Sequence, residues 1–302
     1  MHNVSWLLSI VLDMETNLRF LDVADEPIQT LFPVEGYQEL PLMPLEMAVE
    51  QILHLFKNLP AKVWAAKDRC KNPLNSLTQD ESAAIHLYTV ELHPTERSLY
   101  FQLNQILRSE DRRKLKPWFG YLKLFLTALF KLPSIKSTVW RGVKANLSHK
   151  YPKGSKCIWW GISSCTDSIG VLEQEQFLGQ TGTRTLFSIE CHSGKDIKSH
   201  SYYQTENEIL LLPGTYLQVI DQLKAGSDGL FIIHMKEISP PHAFLEPPST
   251  EYEGIPSVNS LYLHEKPETP EKGKNSSLFK IRDDRFDKLP VIYCIGNLSS
   301  LY

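Results

Sequence analysis

A chain of 302 residues, 42% hydrophobic and 22% charged, has ordinary globular composition and length enough for one large domain or two modest ones. Its net charge of -3 supplies no basic field for nucleic acid, and no apolar run approaches the ~20 residues of a membrane span. The cysteines, Cys70, Cys157, Cys165, Cys191 and Cys294, are odd in number and lack CxxC spacing, and the histidines form no H-x-x-x-H pattern. A disulfide framework and a metal site are therefore not expected.

The apolar run Trp6 to Leu12 is short for a signal peptide, has only His2 before it in place of basic residues, and lacks a clean small-residue cleavage site. It reads as a buried strand or helix, and the expected location is intracellular. Sequons at Asn3, Asn146, Asn275 and Asn297 leave secretion as the alternative.

The first ~130 residues carry helical periodicity. Leu45, Val49, Ile52, Leu53 and Phe56 recur at helical spacing until Pro60 stops the pattern. A second helix begins at Thr78, with Asp80 and Glu81 as early-turn acids and Ala84, Ile85, Leu87 and Tyr88 on its apolar side. A third is expected from Pro94 to Arg108, with Thr95 as a candidate cap, and a fourth through Phe119 to Phe130, ended by Pro133.

Short β-rich runs follow: Thr138 to Val143, Cys157 to Cys165, Arg184 to Cys191, Glu208 to Leu212, Tyr216 to Leu223 and Leu230 to Ile238. Helices first and strands afterwards indicate an α+β fold. No G-x-G-x-x-G follows a strand, and GQTGTR at Gly179 to Arg184 has the wrong spacing for a phosphate loop. Three parts are expected: a helical region over 1–75, a core over 76–238, and a Pro-rich, polar tail over 239–302, extended or disordered in large part. A docking segment within Ser277 to Tyr302 is a further possibility.

Three features of the β-rich half carry chemistry. TVWRGV places Arg141 at a strand end, where a guanidinium fork can take a phosphate or carboxylate, and Gly142 admits close backbone approach. WWGISSCTD places the hydroxyls of Ser163 and Ser164 after an aromatic strand, as turn formers or as groups that hold a neighbouring glutamate. SYYQTENEILLLPG puts Glu206 and Glu208 two residues apart, on one face of the expected strand. Two carboxylates side by side are solvated or converge on positive charge.

Arg, then aromatic-x-Ser-Ser, then Glu-x-Glu resembles the R-S-E class of arginine-specific mono-ADP-ribosyltransferases. AIHLYT, LYFQLNQILR, VWRGV, GISSCT, GTRTLFSIECHSGKDI and SYYQTENEILLLPG stand in that family's order over roughly residues 80 to 238. The resemblance implies a helical N-terminal part followed by a mostly antiparallel β-sandwich core of the ADP-ribosyltransferase type. It implies NAD as co-substrate, with NADP as an alternative, and acceptors that are protein arginine side chains or small guanidino compounds. Arg141 would anchor NAD, Ser163 would support NAD and the catalytic glutamate, Glu208 would be that glutamate, and Glu206 would select arginine. Tyr88, Gly142 and Ser201 would contact NAD, and Phe177 would stack on nicotinamide. This chain departs from the pattern at Cys165, a thiol in place of the last hydroxyl of the family's Ser-Thr-Ser, and at Trp160, where relatives carry a polar NAD contact. An NAD glycohydrolase and a catalytically weak NAD- or ADP-ribose-binding module are the competing readings.

Overall fold

The computed structural model describes residues 25–91, 98–173, 178–204 and 207–249. The expectations for Trp6 to Leu12 and for Ser277 to Tyr302 lie outside these residues, as do Phe177 and Glu206.

The helical layer consists of α1 (Leu45–Ala48), α2 (Leu59–Arg69), α3 (Gln79–Thr89), α4 (Leu99–Leu107) and α5 (Phe119–Lys131), with 3-10 turns between several of them. The periodicity of residues 45–56 resolves into one turn of α-helix and a 3-10 stretch, Glu50–Leu55. Pro60 does not close that segment; it lies in the first turn of α2, where its missing N–H is one the helix leaves unused. Thr78 caps α3 in a capping box: its hydroxyl accepts from Glu81 N–H, and the Glu81 carboxylate accepts from Thr78 N–H at 2.8 Å. Such a cap is worth about 1 kcal/mol. The same carboxylate takes Lys131 Nζ at 2.6 Å and so ties the start of α3 to the end of α5. Every residue from Glu81 to Thr89 is buried, which makes α3 the central helix of its layer.

The described residues form seven strands, β1 (Ser134–Val143), β2 (Lys156–Trp159), β3 (Ser163–Thr166), β4 (Arg184–Asp196), β5 (Glu208–Leu211), β6 (Thr215–Ala225) and β7 (Leu230–Glu237). Their order is β1-β3-β5-β4-β7-β6-β2, and β1 also pairs with β4. All pairings are antiparallel except β4 with β7. The expected run Cys157 to Cys165 is therefore two strands, separated by the turn Trp160–Ile162 and paired with different neighbours. Strands β1, β3, β5 and β4 close on one another, which sets Arg141, Ser163, Ser164 and Glu208 on three adjacent strands.

Two hydrophobic clusters result from strand alternation. Leu210 and Leu212 join the helical core with Leu103, Leu107, Tyr121 and Phe125. Ile209 and Leu211 instead join Val139, Cys165, Phe187 and Ile233 between the strands. Each fully buried Leu or Phe contributes ~1.5–3 kcal/mol over exposure, so these clusters dominate local stability. Beyond β7, Phe244 and Leu245 return to the N-terminal segment. Val34 donates to Phe244 O at 2.8 Å and accepts from Glu246 N–H at 3.0 Å.

Candidate active site

Arg141 lies on β1 with 1% of its surface exposed, and its guanidinium donates to the Ser164 backbone carbonyl at 2.6 Å. The Ser164 hydroxyl in turn donates to Glu208 Oε1 at 2.7 Å. One serine thus connects the buried arginine to the buried glutamate, through its carbonyl on one side and its hydroxyl on the other. The register explains why. Thr166 stands opposite both Trp140 of β1 and Glu208 of β5, so Ser164, two residues along from Thr166, shares the face of Glu208.

Ser163 points the other way. It is fully buried on the side of Cys165, and its hydroxyl makes no hydrogen bond among the described residues. The hydroxyl that holds the glutamate is therefore one position later than the family pattern implies. Replacing Ser164 with alanine should cut turnover about 10- to 100-fold, the rate equivalent of the ~1.5–3 kcal/mol of a hydrogen bond to a charged group. The Ser163→Ala variant should lose less. Steady-state nicotinamide release from the two variants checks this ordering.

Side chains fix the backbone at Asn207 and at Tyr202. Asn207 donates to Asp167 Oδ1 at 3.0 Å and accepts from Lys198 Nζ at 2.8 Å, anchoring the residue before Glu208 to the ends of β3 and β4. Upstream, the Tyr202 N–H donates to Thr89 Oγ1 at 2.8 Å, pinning the SYYQ stretch to the end of α3. His86 of α3 meets the Tyr202 ring edge-on at 5.5 Å. His200 Nδ1 lies 2.9 Å from Ser82 Oγ. Burial lowers the pKa of both histidines, with the Arg69 charge adding to the effect at His86, so both imidazoles are neutral near pH 7.

The remaining expected contacts are placed differently from one another. Tyr88 is buried beside Phe125, with its hydroxyl 3.4 Å from Ile162 O, below the turn that leads into Ser163. Ser201 is fully buried, and its hydroxyl accepts from Tyr203 N–H. At Gly142 the close approach is made by Leu178, whose Cβ would lie 2.8 Å from any added Cβ. Trp160 belongs to a separate cluster with Leu31, Ile158 and Phe244, and the Arg112 guanidinium lies over its ring at 4.6 Å. Its indole is therefore a packing element. Among the described residues no helix is long and apolar enough to cross a membrane, and no three metal-ligating side chains converge.

A helical layer on a mostly antiparallel seven-stranded sheet is the architecture of an ADP-ribosyltransferase. The chain belongs to the NAD:arginine ADP-ribosyltransferase family, whose model matches residues 39–239. NAD is the co-substrate of that family. The eukaryotic mono-ADP-ribosyltransferase ART2.2 superposes with a TM-score of 0.50 at 16% identity, over 71% of this chain and 98% of that one. HopU1 of Pseudomonas syringae pv. Tomato aligns at 18% identity and a TM-score of 0.47, over 58% and 87% of the two chains. The Vibrio splendidus toxin Vis, solved in complex with agmatine, aligns at 20% identity and 0.44, over 61% and 87%. No curated protein matched the sequence.

Proposed function

We propose that this chain transfers ADP-ribose from NAD to the guanidinium of arginine or of a small guanidino compound, releasing nicotinamide. The observation that carries the reading is the link Arg141–Ser164–Glu208, which offers a cation for a pyrophosphate and a held carboxylate for a ribose on the two strands that flank β3. In the reaction the bond from ribose C1′ to the nicotinamide nitrogen breaks, and its electron pair neutralises the pyridinium. No general acid is needed. The positive charge that develops on the ribose is what a fixed carboxylate stabilises, as in glycoside hydrolysis. A guanidinium nitrogen then bonds to C1′ and gives up a proton.

Glu208 is the carboxylate assigned to the ribose, and Arg141 is assigned to the pyrophosphate. Glu206, two residues upstream in the sequence, is assigned to the acceptor, where a carboxylate orients the guanidinium and takes its proton. The glutamate pair is then explained: one faces a developing cation and the other a permanent one. A Glu206→Gln variant should lose arginine modification while retaining most NAD hydrolysis, and equal loss of both activities removes Glu206 from the acceptor role.

The reading is supported by the family match and by the agmatine complex of Vis, a guanidino ligand on a relative. Its test is the purified chain with NAD and agmatine, followed by mass spectrometry. One ADP-ribosylagmatine formed per nicotinamide released establishes the transferase. Nicotinamide release without the adduct assigns water as the acceptor of this small-molecule reaction, the glycohydrolase outcome.

A further inference from the structure

The turn that delivers Ser163 and Ser164 to the site is held by side chains from outside the sheet. Glu26 lies ahead of the 39–239 span matched by the family model. Its side chain is 5% exposed and that of Arg108 is 7% exposed, and Arg108 Nε donates to Glu26 Oε1 at 2.6 Å. The Glu26 carboxylate also accepts the backbone N–H of Trp160 at 2.7 Å and that of Gly161 at 3.2 Å. A Cβ at Gly161 would overlap the Arg108 guanidinium, so a larger residue there would have to displace that side chain.

One residue further on, Ile162 donates to Asn104 Oδ1 at 2.8 Å, and Asn104 Nδ2 donates back to Ile162 O at 3.0 Å. Asn104 and Arg108 are four residues apart at the end of α4 and so share one helix face. The whole turn Trp160–Ile162 is thereby fixed to α4, and Glu26 supplies a negative charge to the arrangement. Charge-assisted bonds in a site this dry are short and directional, which suits them to setting a position.

We propose that Glu26 is a positioning residue for the transferase: clamped by Arg108, its carboxylate fixes the Trp160–Ile162 turn and so sets Ser164 against Glu208. The inference rests on Glu208 acting as the carboxylate that faces the ribose. It has a chemical corollary. Two backbone N–H groups and a guanidinium form a carboxylate nest, and a small carboxylate enters it when the Glu26 side chain is cut back to alanine.

The test uses the full chain carrying Glu26→Ala, with formate as the probe. Turnover should fall about 100-fold, the cost of displacing a reacting group by ~1 Å, while KM for NAD stays near the wild-type value. Formate should restore much of the turnover and raise the Tm of this variant, and do neither for the wild type. If Glu26→Ala does not fold, Glu26→Gln, which keeps the shape and removes the charge, should show lowered turnover with KM unchanged. Turnover equal to wild type in either variant overturns the proposal. So does a loss that formate does not rescue and that is matched by a rise in KM. If the wild type itself releases no nicotinamide, the assignment of Glu208 fails instead, and the formate-dependent Tm of Glu26→Ala still decides the nest: no shift overturns it.

Discussion

Changing Glu208 to glutamine should lower nicotinamide release by on the order of 100- to 1000-fold while leaving NAD affinity close to that of the wild type. The magnitude is that of removing one preorganised group aimed at charge that develops in the transition state. The separation of turnover from affinity follows from when the charge appears. Ground-state ribose is uncharged, so the carboxylate acts chiefly on the transition state, and only interactions that strengthen there raise turnover. Glutamine keeps the volume of the buried side chain and can still accept from Ser164, whose hydroxyl lies 2.7 Å from Oε1, so the fold should survive. Parallel measurements of NAD binding and nicotinamide release read the two quantities. Unchanged release removes Glu208 from the chemistry, and loss of both in parallel reassigns it to binding.

The second large effect belongs to Arg141. Its replacement by lysine retains a charge and removes the planar fork that matches two phosphate oxygens at once. The KM for NAD should rise on the order of 100-fold, the equivalent of ~3 kcal/mol for a charge-assisted pair, with a smaller change in turnover. Arg141 also donates to Ser164 O, so its truncation to alanine removes this hydrogen bond as well and should cost a further ~1–3 kcal/mol of stability. Lysine is for that reason the cleaner variant. A Tm scan beside the kinetics separates the contributions. An unchanged KM contradicts the anchoring role.

Much of the architecture is legible in the chain because it rests on local signals. The apolar periodicity of α3 and α5 and the acids at Asp80 and Glu81 mark real helix faces and a real cap. The β-rich runs from Thr138 onward mark strands within a few residues of their observed ends. Pro60 misleads because proline both ends one helix and suits the first turn of the next. The split of β2 from β3 is hidden because WWGI is apolar throughout, and the turn there is held by tertiary contacts, those to Glu26 and Asn104 among them.

The site was legible in residue types and less so in their partners. Arg141 and Glu208 stand on the two strands that flank β3, but which of two adjacent serines meets the glutamate is a matter of register. Slipping a strand by one residue exchanges its faces, and nothing local in SSCT sets that register. Tyr88 and Ser201 make contacts that the sequence pattern does not show. Both lie in stretches that the family pattern marks, and both are buried in contacts with the backbone of the chain itself. Glu26 could not be found by pattern, since its partners are distant in sequence and two of them are backbone N–H groups.

The most direct measurement is a crystal structure of the Glu208→Gln chain with intact NAD, which that variant should leave uncleaved. The expected result is a pyrophosphate against the Arg141 guanidinium and the nicotinamide ribose beside position 208, with C1′ turned toward that side chain. NAD bound away from these two residues, or no NAD bound at a concentration that saturates the wild type, contradicts the assignment of this site.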